Sequence, residues 1–375
     1  MTSYILRRLL LMIPTIFGIM VINFGIVQFA PGGPVERVLA QIQGIDVDAT
    51  ARISGGGGEV GIGGANNFDL SQSGSGGSGP SGQYRGAQGL DPEFVADIER
   101  QFGFDKPAHE RFIQMIGSYL RFDFGESYFR DVAVLDLILE KMPVSISLGL
   151  WTTLLTYLIS IPLGIAKANR DGQAFDVWTS GLIIIGYAIP GFLFAVLLIV
   201  VFAGGSYLDW FPLRGLTSDN FDELSWGGQL LDYLWHMVLP VAAMTISGFA
   251  TTTLLTKNSF LDEIKKHYVT TARAKGLTER QVLYGHVFRN AMLIVISGFP
   301  GAFVGIFFTG SLLIETIFSL DGLGLLGFES VINRDYPVVF ATLFIFSLMG
   351  LVLSLLSDLT YMWIDPRIDF ESREN

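Results

Sequence analysis

KNSFLDEIKKHYVTTARAKGLTERQVLYGHVFR, residues 257–289, is a hydrophilic stretch with seven basic residues, set between two long apolar runs. Phe260, Leu261, Ile264, Tyr268 and Ala272 recur at helical spacing, with Asp262, Glu263, Lys265, Lys266, Arg273 and Lys275 at other positions. The pattern predicts a surface helix. Gly276 follows the last basic residue, where a residue without a Cβ most cheaply takes the left-handed conformation that ends a helix. Thr278-Glu279-Arg280-Gln281 then has the form of a capping box. One helix therefore ends and another begins within three residues. Held by apolar spans on both sides, such a bent pair is a lever that a cytosolic partner can push.

The rest of the chain is that of a membrane protein. Half of its 375 residues are apolar and 30 are Phe. Crossing the hydrocarbon layer takes about 20 apolar residues, and six stretches qualify: Leu9 to Ala30, Val144 to Ala166, Val177 to Ala203, Met237 to Thr256, Ala291 to Ile314 and Val338 to Ser357. None contains Asp, Glu, Lys or Arg, each of which costs about 2.5–3.5 kcal/mol at the centre of a membrane helix. Arg7-Arg8 resembles the start of a signal peptide, but the first span is too long for one and Pro31 stands where cleavage is needed. We expect an uncleaved first helix with a cytosolic N-terminus, and six spans return the C-terminus to the cytosol.

Short-loop charges agree with that topology. The cytosolic segments hold 2, 2, 7 and 2 basic residues and the two short external loops one each. The first external loop, at about 110 residues, is too long for its charges to govern orientation. The net charge of −11 divides into +3 inside and −14 outside, which argues against nucleic acid as a partner. The absence of Cys removes disulfides and thiolate metal sites. The expected organisation is a cytosolic N-terminus and first span at 1–30 and a periplasmic region at 31–141. Spans two to six follow at 142–362 with a coupling loop at 257–290, and a cytosolic tail at 363–375.

In the external region, Ser54 to Gly89 is Gly- and Ser-rich without apolar periodicity and reads as a flexible linker. Asp91-Pro92-Glu93 reads as N-cap, N1 and first-turn acid of a helix whose Phe94, Val95, Ile98 and Phe102 share a face. Pro107 opens a second helix with Phe112, Met115, Ile116 and Tyr119 aligned. A third amphipathic run, Val132 to Met142, enters the second span and is expected to lie at the headgroup level.

Within the spans, Thr152, Thr156 and Ser160 form a polar stripe at i, i+4 and i+8. Such a stripe lines a transport path or bonds to its own or a neighbouring helix. Pro162, Pro190, Pro240 and Pro300 are expected to kink their spans, and Gly301 and Gly305 suit close approach of a neighbour. Gly322-x-Gly324-x-x-Gly327 has dinucleotide-binding spacing but follows a membrane span with no strand before it, so it is set aside. His109, His236, His267 and His286 lack the spacing of metal ligands on a helix.

Tyr268-Val269-Thr270-Thr271-Ala272-Arg273-Ala274-Lys275-Gly276-Leu277, with His286-Val287-Phe288-Arg289-Asn290-Ala291, resembles the EAA loop of permease subunits in binding-protein-dependent ABC importers of the oligopeptide/dipeptide group. Thr270 and Thr271 stand where that pattern has Glu-Ala, so its Glu ion pair is not carried over. Similarity extends through Ala30-Pro31-Gly32-Gly33-Pro34, Phe122-Asp123-Phe124-Gly125-Glu126-Ser127, Glu315 to Leu326, and Asp365-Pro366-Arg367. Within the group it is nearest to importers of peptides and microcin C. The resemblance implies an all-α, type I importer permease fold of six spans in the bacterial inner membrane, with the large periplasmic insertion between the first two. It implies a second permease subunit as heterodimer partner, ABC ATPase subunits or a fused ATPase that bind ATP and Mg, a periplasmic peptide-binding protein, and peptide substrate. Residues 268 and 270–277 become the ATPase-coupling surface, Glu315 to Leu326 an external gate, and the external region either the docking face for the binding protein or a cap on the bundle.

No nucleophile triad, intramembrane carboxylate pair or metal cluster suggests an enzyme. A proton-coupled carrier needs ionisable groups in its spans, and the spans have no acid. No G-x-x-x-x-G-K-[S/T] motif occurs, so the chain has no phosphate cradle of its own. The reading is a permease subunit driven by a partner ATPase. An ATP-independent helical channel or membrane signalling receptor is the alternative, and the bland reading of the loop is a basic surface resting on anionic lipid.

Overall fold

The computed structural model describes residues 2–29, 34–35, 38, 92–101, 104–205, 207–308 and 312–364. The linker at 54–89, the expected cap Asp91, the residues Ala30 to Gly33, and Asp365-Pro366-Arg367 lie outside them. The described residues form helices and no strands. In order these are α1 (Thr2–Phe29), α2 (Pro92–Gln101), α3 (Ala108–Tyr119), α4 (Val134–Asn169), α5 (Ala174–Ala188), α6 (Gly191–Phe202), α7 (Trp226–Ile264) and α8 (His267–Ala274). There follow α9 (Glu279–Val282), a π-helical turn (Leu283–Val287), α10 (Phe288–Phe308), α11 (Leu312–Ile317), α12 (Leu323–Asn333) and α13 (Tyr336–Ile364).

Among the described residues three helices, α1, α4 and α13, are each long and apolar enough to cross a bilayer, or up to five if each of two bent pairs is one span. α5 and α6 form the first pair, bent by 95°. The break falls at Ile189-Pro190, where proline has no N–H to continue the helix. In α7 the stretches Trp226–Ile246, which contains Pro240, and Gly248–Ile264 lie at 53° to one another. Thr252 donates to the Gly248 carbonyl at 3.1 Å, a back-bond that draws a carbonyl away from the ladder and bends a helix. Pro143 and Pro162 sit within the unbroken, 36-residue α4. At about 1.5 Å per residue α4 is about 54 Å long, against about 30 Å for the hydrocarbon layer. From Val134 the run Val132 to Met142 leads without a break into this helix, so it enters the second span as expected. α10 covers most of the fifth expected span.

The chain forms two compact units, Met1–Ile13 with Lys141–Leu325 and Phe346–Asn375, and Pro14–Glu140 with Leu326–Ile345. In the first, α7 is the hub and packs on α5, α6 and α10. One core gathers Leu148, Ala195, Met237, Val241, Ile314 and Leu320, and a second gathers Ile165, Phe260, Val269, Ala272, Val287 and Ala291. α4 and α7 meet at Gly164, where a Cβ would stand 2.6 Å from Thr256 Cβ and 2.9 Å from the Thr253 carbonyl. Outward-facing apolar side chains such as Trp178 and Leu182, 79% and 72% exposed, form a surface suited to lipid.

In the second unit Ile98 of α2 packs with Val35, Val95 and Phe104. The inward faces of α3 are those expected: Phe112, Met115 and Ile116 are half-buried and Tyr119 buried. The Tyr119 ring meets Phe124 at 4.9 Å and Phe344 at 5.4 Å. Asp335 is buried and accepts from the Ser127 hydroxyl and, at 3.1 Å, from the Tyr128 amide. Burial holds its carboxyl above the usual carboxylate range.

Candidate functional site

The loop at 257–290 is built from the backbone outward. α7 ends at Ile264, Lys265 and Lys266 form a break, and α8 starts at His267. The single helix expected over Phe260 to Lys275 is thus two. The break shifts the inward phase by one residue, so Val269 is fully buried and Tyr268 half-buried, while Phe260 and Ala272 join the same core. Apolar spacing alone reads straight through such a break, because both pieces face one core. The Tyr268 hydroxyl donates to Glu263 at 2.8 Å, and burial raises its pKa.

α8 ends as the sequence predicts. Gly276 has φ +83°. Its amide donates to the Arg273 carbonyl at 2.9 Å and that of Leu277 to Ala272 at 3.4 Å, the paired bonds of a Schellman motif, with Leu277 on the core. Two residues on, the Thr278 hydroxyl accepts from the Gln281 amide at 3.4 Å and the Gln281 side chain accepts from the Thr278 amide at 3.0 Å. This completes the capping box. Arg273 and Glu279 pair in bidentate fashion at 2.8 and 3.0 Å across the turn. Thr270, Thr271, Arg273, Ala274 and Lys275 remain exposed, so α8 offers an exposed polar face from a fixed base.

Sequence reasoning missed the neighbouring charge cluster. Lys167, near the end of α4, is fully buried and donates to the Asp176 carbonyl at 2.9 Å, Thr179 at 2.9 Å and Ser180 at 2.7 Å. Its ammonium lies 3.0 Å from Asp176 Oδ1. Asp176 Oδ2 accepts from the Gly172 amide at 3.1 Å and from Lys257 of α7 at 2.7 Å, and Lys257 also pairs with Asp171 at 2.9 Å. Partners 9 and 81 positions apart leave no periodic signal.

An apolar cavity of about 630 Å³ opens in the same unit, lined by Trp151, Leu155 and Ile159 of α4, Phe194 of α6, and Val241 and Thr245 of α7, among others. The Thr245 hydroxyl is buried without a hydrogen-bond partner among the described residues. The stripe facing the cavity is offset by one residue from Thr152, Thr156 and Ser160. Ser160 is fully buried and donates to the Phe249 carbonyl at 3.1 Å, and Thr156 is buried beside Gly248. Thr152 is half-buried. In this arrangement Thr156 and Ser160 serve helix packing, and the cavity wall is the apolar stripe beside them.

The discarded dinucleotide spacing has a local cause. Glu315 of α11 is fully buried and accepts from the Leu325 amide at 2.6 Å, while the Leu323 amide donates to Ser145 at 2.9 Å. Together they cap α12. A Cβ at Gly322 would stand 2.7 Å from the Glu315 carboxyl carbon, so this glycine makes room for the capping acid. Among the described residues no group of three or more His, Cys, Asp or Glu is placed to hold a metal ion.

Apolar helices, a capped and exposed loop helix, and an open apolar cleft are features of a multi-pass membrane protein. Residues 160–370, more than half of the chain, match the family described as binding-protein-dependent transport system inner membrane component, and the chain belongs to that family. Among relatives, the peptidoglycan transport system permease protein YejB of Agrobacterium fabrum is 67% identical over 374 residues, covering all of both chains. The inner membrane ABC transporter permease protein YejB of Escherichia coli O157:H7 is 59% identical over 373 residues, also end to end. The oligopeptide permease AppB of Bacillus subtilis is 31% identical over 375 residues, 99% of this chain and all of that one.

Proposed function

We propose that this chain is one permease subunit of an ATP-driven peptide importer, microcin C-like peptides included, and that α8 is the element through which a partner ATPase moves it. Six spans place both termini in the cytosol and the region 31–141 in the periplasm. A second permease completes the path, a peptide-binding protein delivers substrate from outside, and separate or fused ATPase domains bind ATP and Mg. Full-length similarity to a peptidoglycan transport permease and to an oligopeptide transport permease supports a peptide-containing substrate. A Cβ at Gly301 of α10 would meet nothing within 4 Å among the described residues, which suits a neighbouring subunit. The apolar cavity is the candidate part of the path.

The observation that carries the reading is the pair of caps around Gly276. α8 is eight residues long, too short to be stable alone, yet it is closed by a Schellman turn, followed at once by a capping box and seated on the core of α7 and α10. A push on its exposed face therefore reaches the spans instead of fraying the helix. The test is Gly276→Val in the reconstituted complex. A β-branched residue at positive φ adds strain of about 1–2 kcal/mol, and no neighbour blocks its side chain. Peptide-stimulated ATP hydrolysis and peptide uptake should fall together at normal membrane abundance. Wild-type coupling would leave α8 as a lipid-resting surface, and peptide flux through the lone chain would favour a channel.

A further inference from the structure

We infer that Lys257 is a positioning residue for coupling: it clips the α4–α5 turn to the end of α7, so that this turn and the coupling helix α8 move as one body. The inference rests on the coupling reading above and names the side chain that carries the motion onward. The turn is tied to α4 and α5 by bonds that do not use Lys257, although Asp176 Oδ1 has no hydrogen-bond partner among the described residues. All three Lys167 protons are used by a carbonyl and two hydroxyls within the turn and the start of α5, Asp176 pairs with Lys167, and the Gly172 amide donates to Asp176. Lys257 reaches this group from another helix, giving its charge to Asp176 and Asp171 together.

Position makes that contact a link. One turn of α7 before it, Thr253 and Thr256 are in backbone-close contact with Gly164 of α4. Just after it, Ser259 donates to the Ala291 carbonyl of α10 at 2.5 Å, and Phe260 packs with Val269 and Ala272 of α8. Ile165 and Ala168, on either side of Lys167, join the same core. Apolar packing alone lets helices slide along one another. A lysine shared by two carboxylates fixes their register, because sliding by a turn would leave Asp176 with one cation where it now has two. α4 and α7 are also walls of the apolar cavity, so the clip joins the pushed element to the path.

The experiment uses the full reconstituted complex with spin labels on exposed Gln173 and His267, introduced as the only cysteines. The wild type should give one narrow distance, unchanged between nucleotide-free and ATP-bound states. Lys257→Met, close in length and uncharged, should broaden that distance and lower peptide uptake about tenfold at normal abundance, and Lys257→Arg should restore both. A wild-type distance that changes with nucleotide overturns the inference. So does a Lys257→Met complex with wild-type distance and uptake, or one whose uptake falls only in proportion to its abundance, as a merely structural role predicts. Should Lys257→Met fail to reach the membrane, Asp171→Asn removes the half-exposed arm alone and is judged by the same distance and uptake. Failure of Gly276→Val to uncouple would remove the coupling reading, while the label distance would still report whether turn and helix move together.

Discussion

Two glycines in the first unit do opposite work. Gly164 lies within a regular helix and is needed for space, since a Cβ there would enter Thr256 and the Thr253 carbonyl. Gly276 has open space around it and is needed for its φ of +83°. The helix crossing is thus fixed by what surrounds the chain, and the coupling turn by what the chain itself can adopt. Substitutions should tell the two apart.

The largest effect is expected from Gly164→Ala. Thr256 is held by its own bond to the Thr252 carbonyl at 2.8 Å, so the methyl group must push α4 and α7 apart, at about 1–3 kcal/mol for an overpacked site. Thermal midpoint and membrane abundance should both drop. Adding Thr256→Ala should recover only part of the loss, because the Thr253 carbonyl still stands at 2.9 Å; full recovery would show that the limit is one side chain and not backbone approach.

At Gly276 size should matter little and conformation should matter most. Gly276→Asn, which tolerates the left-handed region, should keep uptake near wild type where Gly276→Val does not. Equal losses for the two would mean that the side chain, not φ, is what the site rejects. A smaller effect is expected from Arg273→Ala. The Arg273–Glu279 pair is exposed, and such pairs contribute about 0–1 kcal/mol and are screened by salt. Amide exchange at Gly276 and Leu277 should rise slightly in low salt and hardly at all in high salt. A large rise would move the credit for the turn from backbone to charge.

The smallest effect concerns the buried acid of the second unit. The folded state holds Asp335 protonated at pH values where the unfolded chain has released the proton. Its contribution to stability is therefore present in full below 3.8 and is lost as pH rises through the folded-state value. The wild type should lose stability over that interval, and Asp335→Asn should flatten the slope in a thermal-midpoint series. An unchanged slope would assign the pH dependence to another group.

What the sequence made legible was local. The capping box at Thr278, the left-handed Gly276 and the inward face of α3 each rest on residues within a few positions of one another. So do the apolar spans, because hydrophobic length needs no partner. What it hid depended on packing. Threonine and serine are small enough to face either a neighbour or a cavity, so polarity could not decide whether α4 turns residues 152, 156 and 160 or residues 151, 155 and 159 toward open space. Lys167 and Asp176 read as ordinary cytosolic charges because nothing nearby announces burial, and Lys257 meets them from 81 positions beyond Asp176. The glycines at 322 and 164 owe their identity to Glu315 and Thr256, which only the folded chain brings near.

The π-helical turn at Leu283–Val287 carries one residue more than an α-helix would use there. It acts as a phase store between the capping box and α10. Deleting the exposed Tyr284 should let the segment relax to ordinary helix, and because the wide turn has absorbed that residue, the chain before it keeps its direction relative to α10. The direction in which α8 faces is thus buffered at this turn against the gain or loss of one residue.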